Sequence, residues 1–168
     1  IETPTAMVFD LDPGAPADVL DCAQVALWIR GLFDQLDLRC YPKTSGSKGI
    51  QLYVPLNTEV TYEQTKPFAK AVAETLETKF GDRVVSQMTK AKRKGKVLID
   101  WSQNDRHKTT VNVYSLRAKA RPTVSTPIEW EELEAALAAG DASRLVFDAD
   151  QALRRVNEKG DLFAPLLS

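Results

Sequence analysis

A chain of 168 residues, 43% of them hydrophobic, is long enough for one domain with its own core and too apolar for intrinsic disorder. No apolar run approaches bilayer-spanning length and nothing at the start reads as a signal peptide; with His107 the only histidine, Ser-His-Asp, Cys-His and His-rich zinc chemistry lack raw material. The net charge of −1 conceals segregation: residues 1–86 carry −4, residues 87–121 carry +8 from ten basic and two acidic groups, and residues 122–168 carry −5. A block that basic faces a polyanion or is a solvated loop.

Residues 6–11 read as a short buried strand that runs through "VFDLDPG" into a turn. Over 16–38 the apolar positions Val19, Cys22, Ala26, Ile29, Phe33 and Leu36 recur at helical steps. Cys22 falls on that apolar face. It and Cys40 have no partners at metal spacing, so both read as reduced thiols of a cytoplasmic protein. "RCYPKTSGSKG" supplies a short strand and a Gly/Ser turn, and "IQLYVPL", 50–56, alternates as a strand ended by Pro55. A second helix is expected over 61–80, with Phe68, Val72, Leu76 and Phe80 as its stripe, Thr61 as N-cap and Gly81 past its end. Pro67, within its first two turns, is a candidate bend.

Next come a strand in "DRVVSQMT", a basic loop "KAKRKGK", a strand in "KVLIDWS", a turn in "QNDRHK" and a strand over 109–114. An extended "RAKARPTVSTP" follows, and helical patterns return after Pro127 in "EWEELEAAL" and "ADQALRRVNEKG". Strands and helices mix without strict alternation. That predicts an α+β domain with a mixed or antiparallel central sheet flanked by helices.

Asp10 and Asp12 stand at i and i+2, so in a strand they share one face. Paired carboxylates repel unless a cation lies between them, and Mg²⁺ or Mn²⁺ prefers oxygen ligands. A D-x-D before a turn is also an ordinary strand end. Asp100 closes the apolar "VLID" as Asp10 follows "MVF", and three carboxylates around two metals suit phosphoryl or nucleotidyl transfer. "TSGSKG" adds complementary charge: two glycines free backbone N–H groups, Ser45 and Ser47 bring hydroxyls, and Lys48 a point charge. It is not a Walker A loop, because a strand follows and the spacing differs. Trp28, Trp101 and Trp130 read as packing residues, with Trp101 the candidate for base stacking, and His107 in "NDRHK" as exposed or phosphate-proximal.

The ordered set "VFDLDPG", "TSGSKGIQLYVPL", "VLIDWSQN" and "TTVNVYSLRAKARPTVSTPIEWEEL" resembles the polymerase domain of bacterial ATP-dependent DNA ligase D and its stand-alone relatives, in the archaeo-eukaryotic primase superfamily. The resemblance covers nearly the whole chain. It implies a primase-polymerase core and a template-directed nucleotidyltransferase that fills or extends DNA ends in non-homologous end joining. Such enzymes prefer ribonucleotides and use Mn²⁺ or Mg²⁺. Carried over by position, Asp10, Asp12 and Asp100 would be the metal-binding catalytic carboxylates. Ser45, Lys48 and Gly49 would hold the triphosphate, Arg117 a phosphate, and Gln103 would reach the nucleotide. Lys92, Arg93 and Lys94 lie where nucleic acid would approach.

DNA, nucleoside triphosphates, a DNA ligase and a Ku-type end-binding protein are the implied partners, with no membrane, at a nucleoid-associated, cytoplasmic location. Two departures qualify the resemblance. Gln51 stands at a nucleotide-contacting position where the family usually has histidine. The family's N-terminal module would precede the D-x-D strand, so residues 1–168 are expected to be the C-terminal, catalytic portion, able to associate with that module. Two other functions fit parts of the pattern: a non-catalytic nucleic-acid-binding fragment, and a haloacid-dehalogenase-like phosphatase with Asp10 as nucleophile.

Overall fold

The computed structural model describes residues 3–167; the outermost residues of the expected 1–168 domain, 1, 2 and 168, lie outside the described residues. Strand β1, Ala6–Pro13, is the centre of the molecule because its alternation is strict: Met7, Phe9 and Leu11 are buried, while Asp10 is half-buried and Asp12 exposed. It pairs antiparallel with β3, Ile50–Pro55, on one side and with β5, Val97–Asp100, on the other. Outside β3 lies β2, Tyr41–Thr44, also antiparallel. Outside β5 lies the two-residue β4, Val84–Val85, which is parallel to it. The sheet order β2-β3-β1-β5-β4 is therefore mixed, as expected.

Helices α1, Val19–Gln35, and α2, Tyr62–Lys79, pack their apolar stripes on the Phe9 side of the sheet. Phe9 meets Phe33 of α1 at 5.5 Å between ring centres, and Trp28 of α1 stacks on Phe80 at 3.8 Å. Full burial of the Phe9 and Phe33 rings stabilises by about 1.5–3 kcal/mol each, whereas Trp28 and Phe80 are half-buried. Two shorter helices follow, α3, Trp130–Ala139, and α4, Ala149–Lys159. Arg30 ties α3 to α1 through Glu134 at 3.1 Å, and Arg155 ties α4 back through Glu132 and the Pro127 carbonyl. A small hairpin, β6 (Leu116–Arg117) with β7 (Thr123–Val124), precedes α3. The outer side of β2 is occupied by the chain leaving β7: Thr44 N–H donates to Thr126 O at 2.8 Å, and Lys43 bridges Pro127.

Four expectations need correction. Helix α1 begins at Val19, not 16, because Asp18 caps it with a bond to Leu20 N–H at 2.8 Å. It ends before Leu36, which is half exposed beside the left-handed Asp37. The strand in "DRVVSQMT" shrinks to Val84–Val85, because at Ser86 side chains replace the ladder: Glu77 accepts its N–H, and Trp101 Nε1 donates to its carbonyl at 3.0 Å. No strand forms over 109–114. Val111 gives its carbonyl to the Lys43 ammonium at 3.0 Å, and Tyr114 turns the chain with φ +62°. Finally, Phe68 is exposed and Thr65, Ala69, Val72, Ala73 and Leu76 form the buried stripe of α2, which runs on through Pro67. Among the described residues no helix is long and apolar enough to cross a membrane. Cys22 and Cys40 are both buried and free.

Candidate active site

The face of the sheet opposite α1 and α2 carries a polar row set by strand register. Lys43 pairs with Gln51, Gln51 with Asp10, and Asp10 with Asp100, so one residue from each of four adjacent strands faces the same way. Directly opposed side chains have Cβ atoms about 4.5–5.5 Å apart. Asp12 extends the row by one step along β1. The apolar residues between them point to the core, which is why three carboxylates can sit on central strands at all.

Turn 44–49 reaches this row because Gly49 has no side chain. A Cβ there would lie 2.0 Å from the Leu11 carbonyl oxygen, between Asp10 and Asp12. Ser45 organises the turn from within: its Oγ accepts from Ser47 and Gly49 N–H at 3.1 Å each. Arg117 on β6 donates to the Ser45 carbonyl at 3.3 Å, and Lys119 to that of Ser47 at 3.1 Å. The turn and Arg117 border a cavity of about 270 Å³ lined by Asp10, Asp12, Ser45, Lys48, Gly49, Gln51, Gln103 and Arg117 among others. Asp100 stands just outside the lining and is reached through Gln103, whose Nε2 donates to its Oδ2 at 3.1 Å. All six expected nucleotide-contacting residues thus meet two of the three carboxylates at one cavity.

The carboxylates share a face without converging. Asp100 Oδ1 accepts from Ser102 N–H and Oγ at 2.9 and 2.7 Å. Asp12 pairs with Arg93 at 3.3 Å. Among the described residues no three His, Cys, Asp or Glu side chains are gathered closely enough to coordinate one ion. The donor set nevertheless suits a hard divalent cation, being all carboxylate oxygen. Asp10 is strained electrostatically in the way a cation would relieve. Its pKa is pushed up to about 6, first by burial and then by the charges of Asp100 and Asp12, against the lowering bond from Gln51. Gln103 Oε1 is buried with no hydrogen-bond partner beside this set.

Arg93 is the one expected nucleic-acid contact that reaches the site. Its backbone presses on Gly14, where a Cβ would lie 2.0 Å from the Arg93 carbonyl, so the basic loop is docked against the end of β1. Lys92 and Lys94 are exposed and outside the cavity; Lys92 reaches Gln87 instead, at 2.6 Å. His107 accepts from its neighbour Arg106 and lines a separate groove of about 620 Å³ along α2, where Lys70 lies 5.6 Å from the Trp101 ring.

The residue that sequence reasoning missed is Lys43. It is fully buried, and its ammonium donates to Gln51 Oε1 at 2.6 Å, Ser125 Oγ at 2.6 Å and Val111 O at 3.0 Å. Burial pulls its pKa down to about 7. Thr109, Thr110 and Val111, read as strand, wall the cavity instead. Alternation does not reveal Lys43, because Pro42, Lys43, Thr44 and Ser45 are buried in succession and only the strand register shows where the ammonium ends.

A mixed sheet backed by two long helices is the α+β core that the resemblance implies. The comparisons agree, and the chain belongs to the LigD primase-polymerase domain family, whose model matches residues 1–163. It is 44% identical over 162 residues to the multifunctional non-homologous end joining protein LigD of Mycolicibacterium smegmatis, covering 96% of this chain and 20% of that protein. It is 34% identical over 158 residues to the bifunctional non-homologous end joining protein LigD of Bacillus subtilis, covering 94% and 25%. Among solved structures, the polymerase domain of Mycobacterium tuberculosis Ligase D in complex with DNA superposes with a TM-score of 0.90 at 41% identity, covering 98% of this chain and 55% of that one. The chain thus spans about a fifth to a quarter of the length of these curated relatives. Family membership, with a β1 antiparallel to both neighbours, leaves the haloacid-dehalogenase-like alternative without support.

Proposed function

We propose that this domain carries out template-directed nucleotidyl transfer, filling or extending DNA ends in non-homologous end joining with a preference for ribonucleotides. The observation that carries the reading is the register that opposes Asp10 to Asp100, with turn 44–49 seated on Leu11 between Asp10 and Asp12. Asp10, Asp12 and Asp100 would hold divalent cations, Mn²⁺ or Mg²⁺, which supply Lewis-acid activation of a primer 3′-hydroxyl and neutralise charge at the reacting phosphate.

The remaining work falls to the chain's own groups. Lys48 and Arg117 balance the negative charge of a triphosphate, and the turn offers backbone N–H groups to its oxygens. Gln103, already bound to Asp100, has a free amide oxygen to receive a donor from the nucleotide. Gln51 presents an amide where the family histidine would stand, so it hydrogen-bonds but carries no titratable proton. Arg93 pairs with Asp12 and offsets its charge. The relatives' names support the pathway, and the DNA in the matched Ligase D structure supports the substrate.

The test is primer extension on a gapped duplex with Mn²⁺ and either ribo- or deoxyribonucleotides. Asp12→Ala is expected to abolish incorporation while DNA binding is retained. Binding without any incorporation by the unaltered protein would sink the enzyme reading and leave a nucleic-acid-binding module.

A further inference from the structure

The geometry points to Lys43 as a positioning residue that orients the carboxylate of Asp10 by fixing the amide of Gln51; this rests on the metal-binding reading of Asp10. The three residues are consecutive in one cross-strand row, Lys43 on β2, Gln51 on β3 and Asp10 on β1. An amide in such a row can be turned either way. Facing Gln51 Oε1, Val111 O and a Ser125 Oγ whose own proton goes to Thr44 O, Lys43 is an ammonium that only donates, whereas an ionised carboxylate only accepts. Lys43 Nζ lies 2.6 Å from Gln51 Oε1, so the amide oxygen is committed to the lysine and its NH₂ is left for the other neighbour. That neighbour is Asp10, directly opposite Gln51 across the β1–β3 ladder, whose carboxyl the Gln51 side chain draws down in pKa. The row is a one-way relay, ammonium to amide to carboxylate.

Lys43 itself is fixed. It is fully buried, its other two donors go to Ser125 Oγ and Val111 O, and Ser125 Oγ in turn donates to the Thr44 carbonyl at 2.9 Å. It does not line the cavity, so it touches no substrate and acts only through Gln51. Outer partners of this kind hold a metal-binding carboxylate in place, and losing one typically weakens metal binding by 10- to 100-fold.

The experiment measures the Mn²⁺ dissociation constant of the full chain by electron paramagnetic resonance, with Asp10→Asn as the control that loses a ligand. Lys43→Met and Gln51→Met are each expected to weaken Mn²⁺ binding by about tenfold, and the double variant by no more than either single change. Independent, multiplying losses would overturn the relay. Unchanged Mn²⁺ affinity with a raised nucleotide KM would overturn it too, and show that Lys43 serves only the Val111 wall. If Lys43→Met fails to fold, Gln51→Met decides alone, since it leaves the buried lysine in place: wild-type Mn²⁺ affinity there ends the proposal. No Mn²⁺ binding by the wild-type chain would instead overturn the metal reading beneath it.

Discussion

Asp10 is held where a carboxylate is uncomfortable without a cation. Its proton is bound more tightly in the folded chain than in the unfolded one, because its pKa rises from 3.8 to about 6. Stability contributed by this group therefore falls as pH rises from about 4 through 6, and the penalty is complete above that. Asp10→Asn removes it. With chelator present, that variant is expected to be more stable than the parent at pH 7.5 by about 1–2 kcal/mol, and no more stable at pH 3.5. Urea melts at both pH values check this, and an equal difference at each would refute it. The pair Asp10 and Asp12 could be read from the sequence because strand alternation alone puts them on one face. Lys43 could not, because only the β2–β3 register reveals that its ammonium ends against Gln51 rather than in water.

At the scale of elements, two contacts hold the site's parts together. Gly49→Ala would set a methyl group against the Leu11 carbonyl, which is backbone and cannot step aside. The expected cost is about 1–3 kcal/mol, seen as a lower urea midpoint, with turn 44–49 lifted off β1 and nucleotide affinity reduced. Asn104 continues the ladder where β5 stops: its amide accepts from Val8 N–H at 2.9 Å and donates to Val8 O at 2.8 Å. Asn104→Ala would strand both groups and is expected to cost about 2 kcal/mol or more, read in the same melts. Strands with long-range ladders, β1 and β3, follow their hydrophobic pattern closely. The expected strand over 109–114 does not form, although its alternation is as clean. Its hydrogen bonds go to a lysine side chain and to a left-handed turn at Tyr114, and neither leaves a periodic trace in sequence. The end of β4 is similar, since Glu77 and Trp101 take over its ladder from α2 and the turn after β5.

For the whole molecule, the +8 block between two acidic segments predicts how nucleic acid binds. Removing one lysine–phosphate pair flattens the dependence of log K on log salt by about 0.9. Lys92→Ala with Lys94→Ala is expected to flatten it by about 2, measured by fluorescence anisotropy on a gapped duplex across a salt series. An unchanged slope would make those lysines a solvated loop. Such long-range charge could be seen in the sequence, whereas the docking of Arg93 on Asp12 depends on Gly14 letting the loop close in. The way the sheet ends has a separate consequence. On one side β2 is sealed by Thr126 and by Pro127, which has no N–H to offer, and on the other β4 is only two residues long. Neither margin offers a long ladder of unpaired groups to a second copy. The domain therefore stays resistant to strand-to-strand aggregation at high local concentration, and the segment that provides this on the β2 side is the one that also supplies Ser125 to Lys43.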